Sequence, residues 1–347
     1  MTNYVDWKFA TSAGTRLVPP GPDVSPEEAV EAVEEIRALA GQAVEPVAAT
    51  SRLRAPGDAP APLVIDRRTW IEVNAASMSG MLDPAFEAAS RRKTKEPSAA
   101  AQAVGSKITG AEAGGMLAFL STKVLGQYDL APDGDPALLL VAPNIVATER
   151  DIDAVPRDFR LWVCLHEETH RVQFTAVPWL RDHLVTNARS LAGDLMPDSE
   201  ALRTRLEQVT TQLPRVFSGD SQGLAELVIT PEQRERMAQV TAVMSLLEGH
   251  ADVVMDDVGP EHVPTVATIR ARFTKRRKGA GAVDRLLRRL LGLEAKMRQY
   301  RDGATFVRTV QDAVGVDGFN AVWTSPETLP TAREITEPAA WVQRVHG

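Results

Sequence analysis

The segment His166-Glu167-Glu168-Thr169-His170 places two imidazoles four positions apart, with a carboxylate directly after the first. On a helix, residues i and i+4 stand one above the other, so His166 and His170 can face a single metal ion. Glu167 projects beside the first histidine, where it can take a proton from water at the metal. Zinc suits these donors, because it lowers the pKa of its water to about 7 and makes a nucleophile available at neutral pH. The expected chemistry is hydrolysis, with Glu167 as general base and then as proton donor to the leaving group.

Two histidines leave a catalytic zinc site incomplete, since three protein ligands and an open position are usual. A metzincin would continue as HExxHxxGxxH. Here Gln173 takes the glycine position and Ala176 the third histidine position, which excludes that class. Glu168 is also charged where many zinc peptidases of this type carry an uncharged residue. Further along, Glu248 interrupts an almost continuous apolar run from Met244 to Met255. A carboxylate in such a run must be paired, protonated or bound to metal. Asp252, four positions on, shares its helix face and could orient a ligating histidine. His183, His250 and Asp182 are the substitutes for Glu248, although His250 points away from that face. The E-x-x-x-D spacing resembles that of gluzincin peptidases. By that resemblance Glu248 is the third ligand, and Asp252 accepts a hydrogen bond from His166 or His170.

Several elements must hold these residues in place. Pro156 opens a helix carrying LWVCLHEETHRVQF. Thr230-Pro231-Glu232-Gln233 opens another, through Glu248 to about Asp257, where Gly259-Pro260 stops it. The 78 positions between His170 and Glu248 must hold inserted helices, Trp179 to Leu195 and Asp198 to Leu213. Upstream, Ser25-Pro26-Glu27-Glu28 caps a helix through about Ala40. Helical spacing recurs from Asp66, and a small-residue helix reaches roughly Gly126. Leu138 to Val141 is the clearest strand, either an edge that pairs with an extended peptide or a buried strand. An amphipathic helix runs through Leu286 to Met297. Residues 1–24, rich in Pro and Gly, read as an N-terminal arm, and 25–347 as one mostly helical domain. The fold class expected is mainly α with a small β-sheet (α+β).

Composition narrows the function. The 347 residues include 39 basic and 46 acidic side chains, a net charge of −7, which argues against a general nucleic-acid binder. The basic run Arg270, Arg272, Lys275, Arg276, Arg277, Lys278 reads as a solvated helix face. The single cysteine, Cys164, excludes an internal disulfide and a Cys-rich zinc site, and its apolar neighbours mark a buried thiol. No stretch approaches the ~20 apolar residues of a membrane span, and the N-terminus has no basic-then-apolar leader. A cytoplasmic protein with neither membrane nor nucleic-acid partners is expected; its oligomeric state is open.

The chain resembles a family of bacterial zincin-like hydrolases. Some members are described as zinc-dependent metalloproteases, others as associated with biosynthesis of a deazaflavin coenzyme. The resemblance runs from about residue 25 to the C-terminus. It is carried by LLLVAPNI (Leu138 to Ile145), LHEETHRVQF, LLEGHADVVMD, KMRQY (Lys296 to Tyr300) and FNAVWTSPETLP (Phe319 to Pro330). It implies a mainly helical zincin-like architecture with a glutamate third ligand. The function expected is a zinc metallohydrolase, foremost a metallopeptidase acting on a peptide or small amide, with one zinc ion held by His166, His170 and Glu248. Tyr300, then Tyr128, is the candidate stabiliser of the oxyanion on the attacked carbonyl. The rival expectation is a non-catalytic helical binding or assembly protein with a structural or vestigial zinc site. A third leaves His166 and His170 as metal-free core residues.

Overall fold

The computed structural model describes residues 4–57, 59–91, 98–195, 230–278 and 293–347. In chain order the helices are α1 (Trp7–Leu17), α2 (Pro26–Ser51), α3 (Arg67–Arg91), α4 (Ala99–Leu120), α5 (Ala142–Asp151), α6 (Pro156–Ala176), α7 (Leu180–Leu195), α8 (Pro231–His262), α9 (Val266–Lys278) and α10 (Leu293–Phe319). Two short 3-10 turns then lead to α11 (Ala332–Thr336) and α12 (Pro338–His346). Three strands, β1 (Leu63–Ile65), β2 (Gly126–Asp129) and β3 (Ala137–Val141), form one small sheet. The expected class, mainly α with a small β-sheet, is the one observed. No described helix is long and apolar enough to cross a membrane.

The helix starts follow from local chemistry. Ser25 and Glu28 form a reciprocal capping box on α2, as do Thr230 and Gln233 on α8. Pro156 sits in the first turn of α6, where its missing N–H would have had no partner. In α8 the helical path breaks at Gly259, whose φ of 67° favours glycine. Helix α2 continues past Ala40 to Ser51, because Ala43 and Val47 extend the buried stripe of Ile36 and Leu39.

Helix α6 packs against both α2 and α8, which also touch each other. Ile36, Leu39 and Val47 of α2 share one core with Phe159, Val163 and Leu165 of α6 and Val254 of α8. A second core joins Leu246 of α8 to Phe306 and Val310 of α10 and to Trp341 of α12. A third packs Trp70, Ile71 and Leu117 against Leu139 and Val141.

Two expectations are corrected, and the open choice for Leu138 to Val141 falls to the buried strand. Residues 7–17 are a helix, not part of an arm. Asp6 caps it by accepting from the Phe9 N–H, Ala10 and Gly14 are buried, and it packs on α4 and α3. Its inward side chains are too small to show in a hydrophobic pattern. Leu138–Val141 is the middle strand, in the order β1-β3-β2, parallel to β1 and antiparallel to β2. It therefore has no free edge for a peptide; β2, which the pattern missed, is an edge. The small-residue helix ends at Leu120, not near Gly126. The expected helices at Asp198–Leu213 and over 286–292 lie outside the described residues.

Candidate metal centre

The apolar residues of α6 fix which way its histidines face. Leu161, Val163, Cys164 and Leu165 are buried, and the Cys164 thiol donates to the Ile36 carbonyl at 3.8 Å. Asp158, in the first turn, accepts from the Thr265 N–H and hydroxyl at 3.1 and 2.7 Å, which ties the start of α6 to that of α9. With those faces occupied, His166 and His170 project to the remaining side. Their rings are 4.8 Å apart and nearly perpendicular, and their Nε2 atoms lie 3.2 Å from each other.

Glu248 arrives from α8 and completes a triangle. Its Oε2 is 3.6 Å from Nε2 of His166 and 3.6 Å from Nε2 of His170. Tetrahedral zinc at about 2.1 Å from each donor requires donors about 3.4 Å apart. The three separations bracket that figure, and two imidazoles with a carboxylate are a zinc donor set, so the residues fit the ion. The electrostatics agree. Burial raises the Glu248 carboxyl, but the two histidines outweigh this and hold it well below the usual range. Burial lowers His170, yet Glu248 and Glu167 push it up to about 9. The point between these side chains stabilises positive charge.

A close helix crossing sets the height of Glu248. Gly249, the next residue, meets Gly303 of α10, and a Cβ on Gly303 would overlap the Ser245 carbonyl. Only glycines allow the backbones this near. Glu167 is positioned by a second close approach. A Cβ on Gly126 would lie 2.5 Å from Cγ and Cδ of Glu167, so the start of β2 rests directly on the carboxylate. Along β2 the side chains alternate. Gln127 and Asp129 bond to α3, accepting from the Trp70 indole at 3.0 Å and from Ser77 at 2.8 Å, while Tyr128 stacks on Phe174 of α6 at 5.1 Å. Oε2 of Glu167 is buried and makes no hydrogen bond among the described residues. Burial pushes its carboxyl above the ordinary value, more than the histidines pull it down.

The remaining expected residues divide. Asp252 does not reach either histidine. Its carboxylate lies 3.6 Å from Nη2 of Arg270, and the residue bonded to His170 Nδ1 is Gln173, at 3.0 Å. The i+4 spacing put Asp252 on the right face of α8 but one turn too far along, within reach of α9. Sequence reasoning passed over Gln173, although a polar residue one turn after the histidine in an apolar segment was a usable signal. His250 is buried against Phe319 and Trp323, His183 stands by Trp179, and Asp182 pairs with Arg181, so none of the substitutes joins the triangle. The charge of Glu168 is explained by a paired hydrogen bond from Arg171, both at 2.7 Å. Tyr128 reaches the α6 face with its ring committed to Phe174. Tyr300 lies on α10, and its side chain is outside the described residues. In the basic run, Arg270 pairs with Asp256, Arg272 with Asp153 and Arg276 with Asp151.

Comparisons with known proteins extend over nearly the whole chain. A family described as zincin-like metallopeptidases matches residues 5–342. A crystal structure from Chloroflexus aurantiacus, described as a candidate hydrolase with a novel fold, is 30% identical. The match covers 98% of each chain, with a TM-score of 0.68. No curated protein matches.

Proposed function

The chain belongs to the zincin-like metallopeptidase family, and on that premise we propose that it is a zinc-dependent hydrolase of amide bonds, foremost a peptidase. The observation that carries this reading is the donor triangle of His166, His170 and Glu248 with Glu167 alongside. His166, His170 and Glu248 would hold the ion. Bound there, zinc supplies a Lewis acid for the carbonyl and brings the pKa of water into the neutral range.

The rest is the work of this chain's own groups. Glu167, buried beside the triangle, would remove a proton from the attacking water and return it to the leaving nitrogen. The absence of a side chain at Gly126 leaves room for that carboxylate. The outer edge of β2 offers backbone donors and acceptors to an extended peptide, directly beside Glu167. Tyr300 is our candidate donor to the oxyanion.

Metal content of tag-free protein by mass spectrometry tests the ligands. Wild type should carry near one zinc and Glu248→Ala clearly less. Glu167→Gln should keep the zinc and lose hydrolysis of a peptide library by about 10²–10⁴-fold. Retained turnover in Glu167→Gln would reject the base. Zinc bound with no turnover of any substrate would favour the helical binding or assembly protein, and a wild type that takes up no zinc would leave His166 and His170 as metal-free core residues.

A further inference from the structure

A histidine that binds metal through Nε2 must carry its hydrogen on Nδ1, and the partner of Nδ1 decides whether it does. In His170 that partner is the Gln173 side chain, whose amide could in principle face either way. Its other contacts fix the orientation. One end of the amide is 3.0 Å from the backbone carbonyl of Leu247, which can only accept, so that end is the NH₂ group. Oε1 therefore faces His170 Nδ1 at 3.0 Å as an acceptor, and Nδ1 must be the protonated nitrogen.

The chain of constraints continues on the far side. The second hydrogen of Gln173 Nε2 points to His250 Nδ1, also at 3.0 Å, so that nitrogen accepts and His250 bears its hydrogen on Nε2. His250 is wholly buried, stacked on Phe319 at 5.3 Å, and its Nε2 makes no hydrogen bond among the described residues. Its ring also lies 5.3 Å from that of Trp323.

Resting on the zinc reading above, we infer that Gln173 is a positioning residue. It takes its direction from the Leu247 carbonyl, adjacent to Glu248, and sets His170 in the tautomer that presents Nε2 to the metal. One side chain thus aligns the histidine ligand on α6 with the glutamate ligand on α8. The first test is zinc affinity by competition with a chromophoric chelator, using full-length wild type, Gln173→Met and Gln173→Glu. Methionine matches the length and offers no strong acceptor, so affinity should fall about 10–100-fold. Glutamate keeps the acceptor for His170 Nδ1 but gives up the bond to the Leu247 carbonyl, so its affinity should lie above that of Gln173→Met and below that of wild type.

The second test is nitrogen-15 NMR of histidine-labelled, metal-free protein at neutral pH. It should find the His250 proton on Nε2 in wild type and on Nδ1 in Gln173→Glu, whose carboxylate has no hydrogen to give. An affinity of Gln173→Met within threefold of wild type overturns the inference while leaving the zinc reading intact. So does a wild-type His250 protonated on Nδ1, even if Gln173→Met fails to fold. Absence of zinc binding in wild type would overturn both.

Discussion

Glu167 and Gly126 show how little room the centre leaves. A methyl group on residue 126 would meet the carboxylate of Glu167 well inside van der Waals contact. Gly126→Ala should therefore leave zinc content unchanged and reduce hydrolysis by about 100-fold, the scale of a misplacement near 1 Å. Steady-state kinetics beside metal analysis would check this, and unaltered turnover would show that the contact yields freely. At this scale the pairing of His166 with His170 was legible in the sequence, because spacing on a helix is a local property, and Glu248 was marked out by the apolar run that it interrupts. Gln173 carried a local signal that was passed over, whereas the closeness of Gly126 to Glu167 could not be read, since the two are distant in sequence. Asp252 illustrates the converse. A helical offset placed it on the correct face, but only the arrival of α9 with Arg270 decided what it would bind.

Between elements, the decisive contact is the crossing of α8 and α10. Gly303→Ala would drive a methyl into the Ser245 carbonyl, and backbone cannot move aside as a flexible side chain does. Overpacking of this kind destabilises by about 1–3 kcal/mol. The expected result is a lower melting temperature together with weaker zinc binding, because Glu248 rides on the helix that is displaced. Thermal melts and a zinc titration would separate the two effects; normal zinc binding in a destabilised variant would mean that the crossing does not set the height of Glu248. Caps made α2, α6 and α8 readable in advance, since Ser25, Pro156 and Thr230 act within a few residues of themselves. The sheet was not readable. Its strands are three to five residues long, and the order β1-β3-β2 depends on pairings between segments as far apart as Leu63 and Leu139.

For the molecule as a whole, on the proposed reading, the ion and the fold stabilise each other. A ligand that binds only the native state adds about 2.7 kcal/mol when its free concentration is a hundred times Kd. Treatment with a chelator should lower the melting temperature by about 4 °C and zinc should restore it, since the unfolding entropy of a chain this long is about 0.7 kcal/mol/K. A melting temperature indifferent to both would mean that the triangle holds no ion. The distance between the ligands along the chain has a further meaning in polymer terms. His170 and Glu248 are 78 positions apart, so an ion held between them acts as a cross-link that closes a loop of that length. Loop-closure entropy grows only with the logarithm of length, and doubling the loop would add about 0.6 kcal/mol. The segment joining the two halves of the centre can therefore lengthen or shorten across relatives with little effect on the ion, while a single methyl at Gly126 or Gly303 cannot be absorbed.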